Sequence, residues 1–176
     1  LKINKEISVN LGKRWIKIVP SNELLINLEI DYPNTLIGKD TIHYLHNERS
    51  FVNDICYART FTLLSNVEKL RASGFGIGGN LNNALVVDKY ELVNETGLRA
   101  KNEFIKHKVL DCLGDFYLSG FQILGEIRSF SPGHELNFQL LKEIFKSESN
   151  FEITTKIDDQ VEFFESHERL TSFNVA

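Results

Sequence analysis

An α+β domain with a largely antiparallel sheet is the fold class this chain predicts, on three observations. Leu24, Ile26, Leu28 and Ile30 recur at every second residue, the period of a half-buried strand. Two later segments, one from about Lys101 to Gly120 and one from Pro132 to about Phe145, repeat their apolar residues at helical spacing instead. Finally, the strand patterns come in runs interrupted by only a few helices, the order of an α+β rather than an α/β domain.

Element by element, Trp15 to Pro20 and Leu24 to Asp31 read as strands, the second closed by the turn Pro33-Asn34, and Asp40 to Leu45 reads as another strand. Ser50 to Ala58 reads as a helix with Phe51, Ile55 and Ala58 on one side. Ser65 starts a short helix through Leu70, closed by Gly74. Gly74, Gly76, Gly78 and Gly79 form a loop, which lacks the strand and helix flanks of a phosphate cradle. Ala84 to Val93 is a strand and Asn94 to Gly97 a turn. The principal helix carries Glu103 in its first turn, where the dipole favours an anion, and stops at Gly120. Gly114 inside it costs about 1 kcal/mol in helix propensity, so a close approach by another backbone or a substrate is its expected motive. Leu124 to Phe130 is a strand, and Pro132 opens a helix with Leu136, Leu140, Leu141 and Ile144 inward. Beyond Phe151 apolar and acidic residues mix without a pattern that assigns an element.

Composition bounds the function. At 176 residues, 42% hydrophobic and 25% charged, the chain suits one well-buried core. It starts at Leu1 and has no methionine, so we expect a piece of a longer chain. No apolar run has the length of a membrane span and no segment has signal-peptide architecture, so the expected location is the cytoplasm and an integral membrane protein is not expected. A formal net charge of −4 argues against a nucleic-acid partner. Cys56 and Cys112 lie among apolar neighbours and are expected to be buried free thiols.

In the principal helix His107, Asp111 and Asp115 fall on one stripe, opposite Ile105, Val109, Cys112, Leu113 and Phe116. An imidazole and a carboxylate at i, i+4 have the spacing to hold one divalent metal. A solvated helix face explains the same spacing, and on spacing alone it is the commoner case.

The surrounding residues decide between them. Phe104-Ile105-Lys106-His107-Lys108-Val109-Leu110-Asp111-Cys112-Leu113-Gly114-Asp115, followed by Ser131-Pro132-Gly133-His134-Glu135-Leu136-Asn137, resembles the UDP-3-O-acyl-N-acetylglucosamine deacetylases, the LpxC family of bacterial zinc enzymes that begin lipid A synthesis. Ala58-Arg59-Thr60-Phe61, Gly78-Gly79 leading to Ala84-Leu85-Val86-Val87-Asp88, and Asn94-Glu95-Thr96-Gly97-Leu98-Arg99 agree in order and spacing. The likeness covers about Trp15 to Phe145. It implies that residues 1–176 are the second, C-terminal domain of a two-domain zinc deacetylase whose first domain is absent here. The implied fold is a two-layer sandwich of a mainly antiparallel sheet packed on helices, with a small strand and helix insert at about residues 62–88.

The resemblance also implies roles. His107 and Asp111 become ligands of Zn2+, the third ligand being a histidine of the first domain beside a glutamate general base. His134, at a helix start where a charged ring needs an acid to balance it, matches the imidazole that stabilises the oxyanion or protonates the leaving amine. Asp115 matches its support. Thr60 matches the hydroxyl that completes the oxyanion site, Phe61 the aromatic beside the sugar, and Lys108 a substrate-contacting lysine. Leu64, Val67, Leu81 and Val86 match the lining of a passage for the fatty chain, although a small core of the insert explains the same residues. The remaining histidines, His43, His46 and His167, are not expected to bind metal, the first two being read as surface residues. The implied substrate is a UDP-linked acylated amino sugar. A noncatalytic domain that keeps the fold to bind lipid or protein is the competing class, and it leaves the joint presence of Thr60, His107, Asp111, Asp115 and His134 unexplained. An RNA-binding module of similar layering lacks its basic face.

Overall fold

A computed structural model describes residues 1–155. Its centre is a five-stranded sheet built from β2 (Ile7–Leu11), β3 (Arg14–Val19), β4 (Leu24–Tyr32), β5 (Gly38–Leu45) and β9 (Gly125–Phe130), in the order β2-β3-β9-β4-β5. Pairing is antiparallel except between β4 and β9, which run parallel with Ile26 opposite Ile127. A second small sheet pairs β1 (Lys2–Ile3) with β10 (Phe151–Glu152). The sequence pattern assigns residues 1–14 to no element, and β2 is the edge strand they supply. Leu11 faces Arg14 across a two-residue loop whose first member, Gly12, has φ +61°, the left-handed backbone that glycine supplies without strain.

One face of the sheet is covered by two helices, α3 (Glu103–Tyr117) and α4 (His134–Phe145), which also pack on each other. The alternation in the strands produces this layering. Ile16, Ile18, Ile26, Leu28, Ile30 and Ile127 are almost wholly buried, and they meet Ile105, Val109, Cys112 and Leu113 from α3 and Leu136, Leu140 and Ile144 from α4 in one core. The structure is therefore the expected α+β sandwich. Gly125 lets β9 approach closely: a Cβ there would lie 2.9 Å from Ile18.

The insert joins the layers through β6 (Thr60–Leu63), α2 (Leu64–Ala72), β7 (Ala84–Asp88) and β8 (Glu91–Leu92), with β6 and β7 parallel and β7 and β8 antiparallel. The expected single strand from Ala84 to Val93 is thus a hairpin. Its two-residue turn is Lys89-Tyr90, with Lys89 at φ +52°. That turn is hidden in the sequence because it contains no glycine, proline, asparagine or aspartate. Asn94, read as a turn residue, is buried and fastens the insert: its Oδ1 accepts from Val86 N, and its Nδ2 donates to the carbonyls of Leu81 and Ala84.

The helix expected over Ser50 to Ala58 is also different. One α turn, α1 (Glu48–Ser50), is capped by Asn47 and passes into a π turn over Phe51–Ile55, closed by Cys56 N donating to Phe51 O. The wider turn changes the angular phase of the segment, placing Ile55 in the core while Cys56 is exposed. Cys56 is accordingly not the buried thiol that its apolar neighbours suggested. Cys112 is buried, and burial pushes its thiol pKa far up.

Candidate functional site

Helix α3 presents the polar stripe at one edge of the helical layer. His107 donates from Nδ1 to Ala58 O at 3.2 Å, which leaves Nε2 facing Asp111 Oδ1 at 3.1 Å. A carbonyl that holds one ring nitrogen and frees the other is the common outer support of a metal-bound histidine. Lys108 Nζ reaches Asp111 Oδ2 at 3.1 Å and stands 5.2 Å from the centre of the Phe61 ring. Burial works against ionisation of Asp111, but the hydrogen bond from His107 and the charge of Lys108 prevail and hold its pKa at about 2. The carboxylate is therefore ionised at neutral pH.

Helix α4 brings the other half. Gly133 precedes it, so His134 is its first residue, and the imidazole Nδ1 lies 2.8 Å from Asp115 Oδ2 and 3.0 Å from Oδ1. Its Nε2 points back toward the His107 and Asp111 pair, 4.0 Å from Asp111 Oδ1. His134 is 72% exposed, open to whatever enters the site. Four side chains from two helices thus converge: His107 and Asp111 as a nitrogen and oxygen donor pair, Asp115 and His134 as a hydrogen-bonded pair beside it. The donor types suit zinc. Among the described residues no group of three or more His, Cys, Asp or Glu side chains is placed to hold a metal ion; His107 and Asp111 are two donors of the kinds that zinc takes.

The insert approaches the same edge. Phe61 stacks edge-on against Phe104, with ring centres 5.2 Å apart, and lies 6.3 Å from the His107 ring. Thr60, exposed at the start of β6, and Phe61 also line a cavity of about 290 Å3 that runs into the insert, where Val67, Leu70, Leu81 and Val86 continue its wall. Leu64 is exposed and is not part of that wall. His43 sits on the open face of the sheet, bonded to Asn27. His46 is half-buried beside Tyr44, and burial lowers its pKa. His167 lies outside the described residues.

Residues 1–146 match the LpxC family, described as UDP-3-O-acyl N-acetylglycosamine deacetylase. The chain belongs to this family. Proteins named UDP-3-O-acyl-N-acetylglucosamine deacetylase share this ancestry. The one from Pasteurella multocida is 36% identical over 162 residues, covering 91% of this chain and 53% of the relative. That from Wigglesworthia glossinidia brevipalpis is 37% identical over 155 residues, 87% of this chain and 52% of the relative. That from Campylobacter fetus subsp. fetus is 37% identical over 158 residues, 90% and 53% respectively. The chain spans about half the length of the curated relatives it matches. No helix among its described residues is long and apolar enough to cross a membrane.

Two groups in this LpxC-family chain lie outside the site residues expected from sequence. Glu103, expected to answer the helix dipole, is 0% exposed and is the hub of a buried network. It accepts from Arg59 N and Nε and from Arg99 N, while Arg59 Nη2 also donates to Gly97 O. The network anchors the Ala58-Arg59 backbone whose carbonyl holds His107. No spacing rule links Arg59 to Glu103, 44 residues apart. Asn137 is the other: it is 0% exposed and donates from Nδ2 to Asp115 Oδ2 at 2.8 Å. A signal for it exists, since an asparagine sits on the inward stripe with Leu141 and Ile144.

Proposed function

We propose that, joined to the rest of its protein, this chain supplies part of a zinc-dependent active site that hydrolyses the N-acetyl group of UDP-3-O-acyl-N-acetylglucosamine. The observation that carries the reading is the convergence of the Asp115-held His134 on the His107 and Asp111 pair, with His134 Nε2 4.0 Å from Asp111 Oδ1. An amide hydrolase needs both a place to polarise the carbonyl and a group to receive or give the proton on the leaving nitrogen, and here they share one face.

His107 and Asp111 would hold the zinc, with a histidine of the first domain as third ligand and a glutamate there as general base. Zinc bound at such a site activates water and polarises the amide carbonyl. His134 is oriented by Nδ1–H donation to Asp115, so its Nε2 faces the reacting amide; with a second proton on Nε2 the ring is a cation that stabilises developing negative charge or passes that proton to the amine. Thr60 adds a hydroxyl donor to the oxyanion. Phe61 gives an apolar wall for the sugar and Lys108 a cation for its polar groups. The insert cavity, with Val67, Leu81 and Val86 on its wall, takes the fatty chain away from water. Acetate and a free amino sugar leave. A cytoplasmic enzyme of lipid A synthesis would carry out this step.

The test uses the full-length protein containing this chain, loaded with zinc and given UDP-3-O-acyl-N-acetylglucosamine. Release of acetate that stops on chelation and returns with zinc is the expected result. A full-length protein that binds the acylated sugar yet takes up no zinc and releases no acetate when zinc is supplied would overturn the reading in favour of a noncatalytic lipid-binding domain.

A further inference from the structure

We propose that Asn137 is a positioning residue that fixes Asp115 and, through it, the orientation of His134; as a statement about catalysis this rests on the deacetylase reading above. Asp115 Oδ2 receives two donors, His134 Nδ1 at 2.8 Å and Asn137 Nδ2 at 2.8 Å. The two donors lie three residues apart on α4, one turn of the same helix face. They differ in environment. His134 is 72% exposed, whereas Asn137 is wholly buried.

An imidazole that is 72% exposed cannot by itself hold a carboxylate in one rotamer, because the ring is free to swing toward water and Asp115, 21% exposed, keeps an opening to solvent. A buried amide on a packed helix can. The orientation of that amide is informative: an ionised carboxylate only accepts, so Nδ2 must face it, and Asn137 Oδ1 is left buried without a hydrogen-bond partner among the described residues. A buried acceptor left unmade is unfavourable, and the donation to Asp115 is what this arrangement secures. With Asn137 holding Oδ2, Asp115 keeps both oxygens within 3.0 Å of His134 Nδ1, which selects the ring tautomer with its proton on Nδ1 and frees Nε2 for the site.

The experiment compares Asn137→Leu, close in size and without a donor, with the parent in the zinc-loaded full-length protein; Asn137→Ala is measured beside it in case the larger side chain prevents folding. A general acid contributes about 10²-fold or more, and loss of its support is expected to lower kcat about 10-fold, with KM and zinc content unchanged. In an Asp115→Ala background the same change is expected to lower kcat no further, because the two residues act on one group. An unchanged kcat, or a full additional loss in the Asp115→Ala background, overturns the proposal. If the parent shows no deacetylation the functional reading falls instead, and the 15N resonances of the neutral His134 ring decide the positioning: the parent holds Nδ1–H and the Asn137 variants mix tautomers. A parent without Nδ1–H, or variants identical to it, overturns the inference.

Discussion

His134 and Asp115 define the residue scale of the site, because they bond to each other beside His107 and Asp111. In the full-length protein His134→Ala is expected to lower kcat by about 10²-fold or more while zinc content stays unchanged, with Asp115→Ala costing less. Wild-type turnover, or zinc lost together with His134, would assign the ring to structure. Glu103 is the contrasting residue, wholly buried one helical turn before His107 and bonded to Arg59 and Arg99. Removing one partner of a buried pair leaves an uncompensated charge and costs about 3–5 kcal/mol, so Glu103→Leu, which strands Arg59, is expected to lower the urea midpoint of the metal-free protein steeply. Burial tends to raise the Glu103 pKa, but the hydrogen bonds from Arg59 and Arg99 outweigh it and leave it below its ordinary value of 4.5. A carboxyl lowered on folding contributes fully above that ordinary value, and its contribution is lost as pH falls through the lower, folded value. Stability measured between neutral pH and pH 3 should therefore fall below about pH 4.5, and the Glu103→Leu variant should fall less. Equal slopes would remove Glu103 from the acid response.

At the scale of elements, helices are legible in the sequence and their partners are not. The 3.6-residue period of α3 and α4 and the strict alternation of β4 can be read directly, because each records burial on one face of a regular element. The polar stripe His107, Asp111 and Asp115 comes from the same periodicity. What stays hidden depends on distant or irregular geometry: the π turn at Phe51–Ile55, the Lys89-Tyr90 hairpin turn, and the bonds from Glu103 and Asn137. The insert is the element with its own prediction. Each buried methylene is worth about 0.8 kcal/mol, so kcat/KM of the full-length protein should climb steeply with acyl length. Val67→Asp or Val86→Asp, both on the cavity wall, should flatten that climb and spare zinc. Parallel length profiles for parent and variants would send the acyl chain elsewhere.

For the whole molecule, the ligand count governs behaviour. A catalytic zinc takes three protein ligands, and on the proposed reading this chain supplies His107 and Asp111, so residues 1–176 by themselves are expected to lose zinc on dialysis and to release no acetate. Zinc retained stoichiometrically, with turnover, would show the domain to be self-sufficient. Nothing within the described chain comes within 4 Å of a Cβ built on Gly114, so the close approach that a mid-helix glycine suggested is not made by the described residues of this domain.

The placing of β9 between β3 and β4 has a consequence for how the chain must assemble. Before residues 125–130 leave the ribosome, the nascent polypeptide can form only two separate hairpins of this sheet, β2 with β3 and β4 with β5, each with an open edge toward the gap between them. The last strand of the sheet to be synthesised is thus its keystone. Contacts between β4 and β9 span about a hundred residues of sequence, a topology that slows folding and prolongs the lifetime of bare strand edges. Vectorial synthesis therefore leaves the five-stranded sheet dependent on residues 125–130 for closure, and a chain released before Gly125 would hold two ribbons with bare edges in its place.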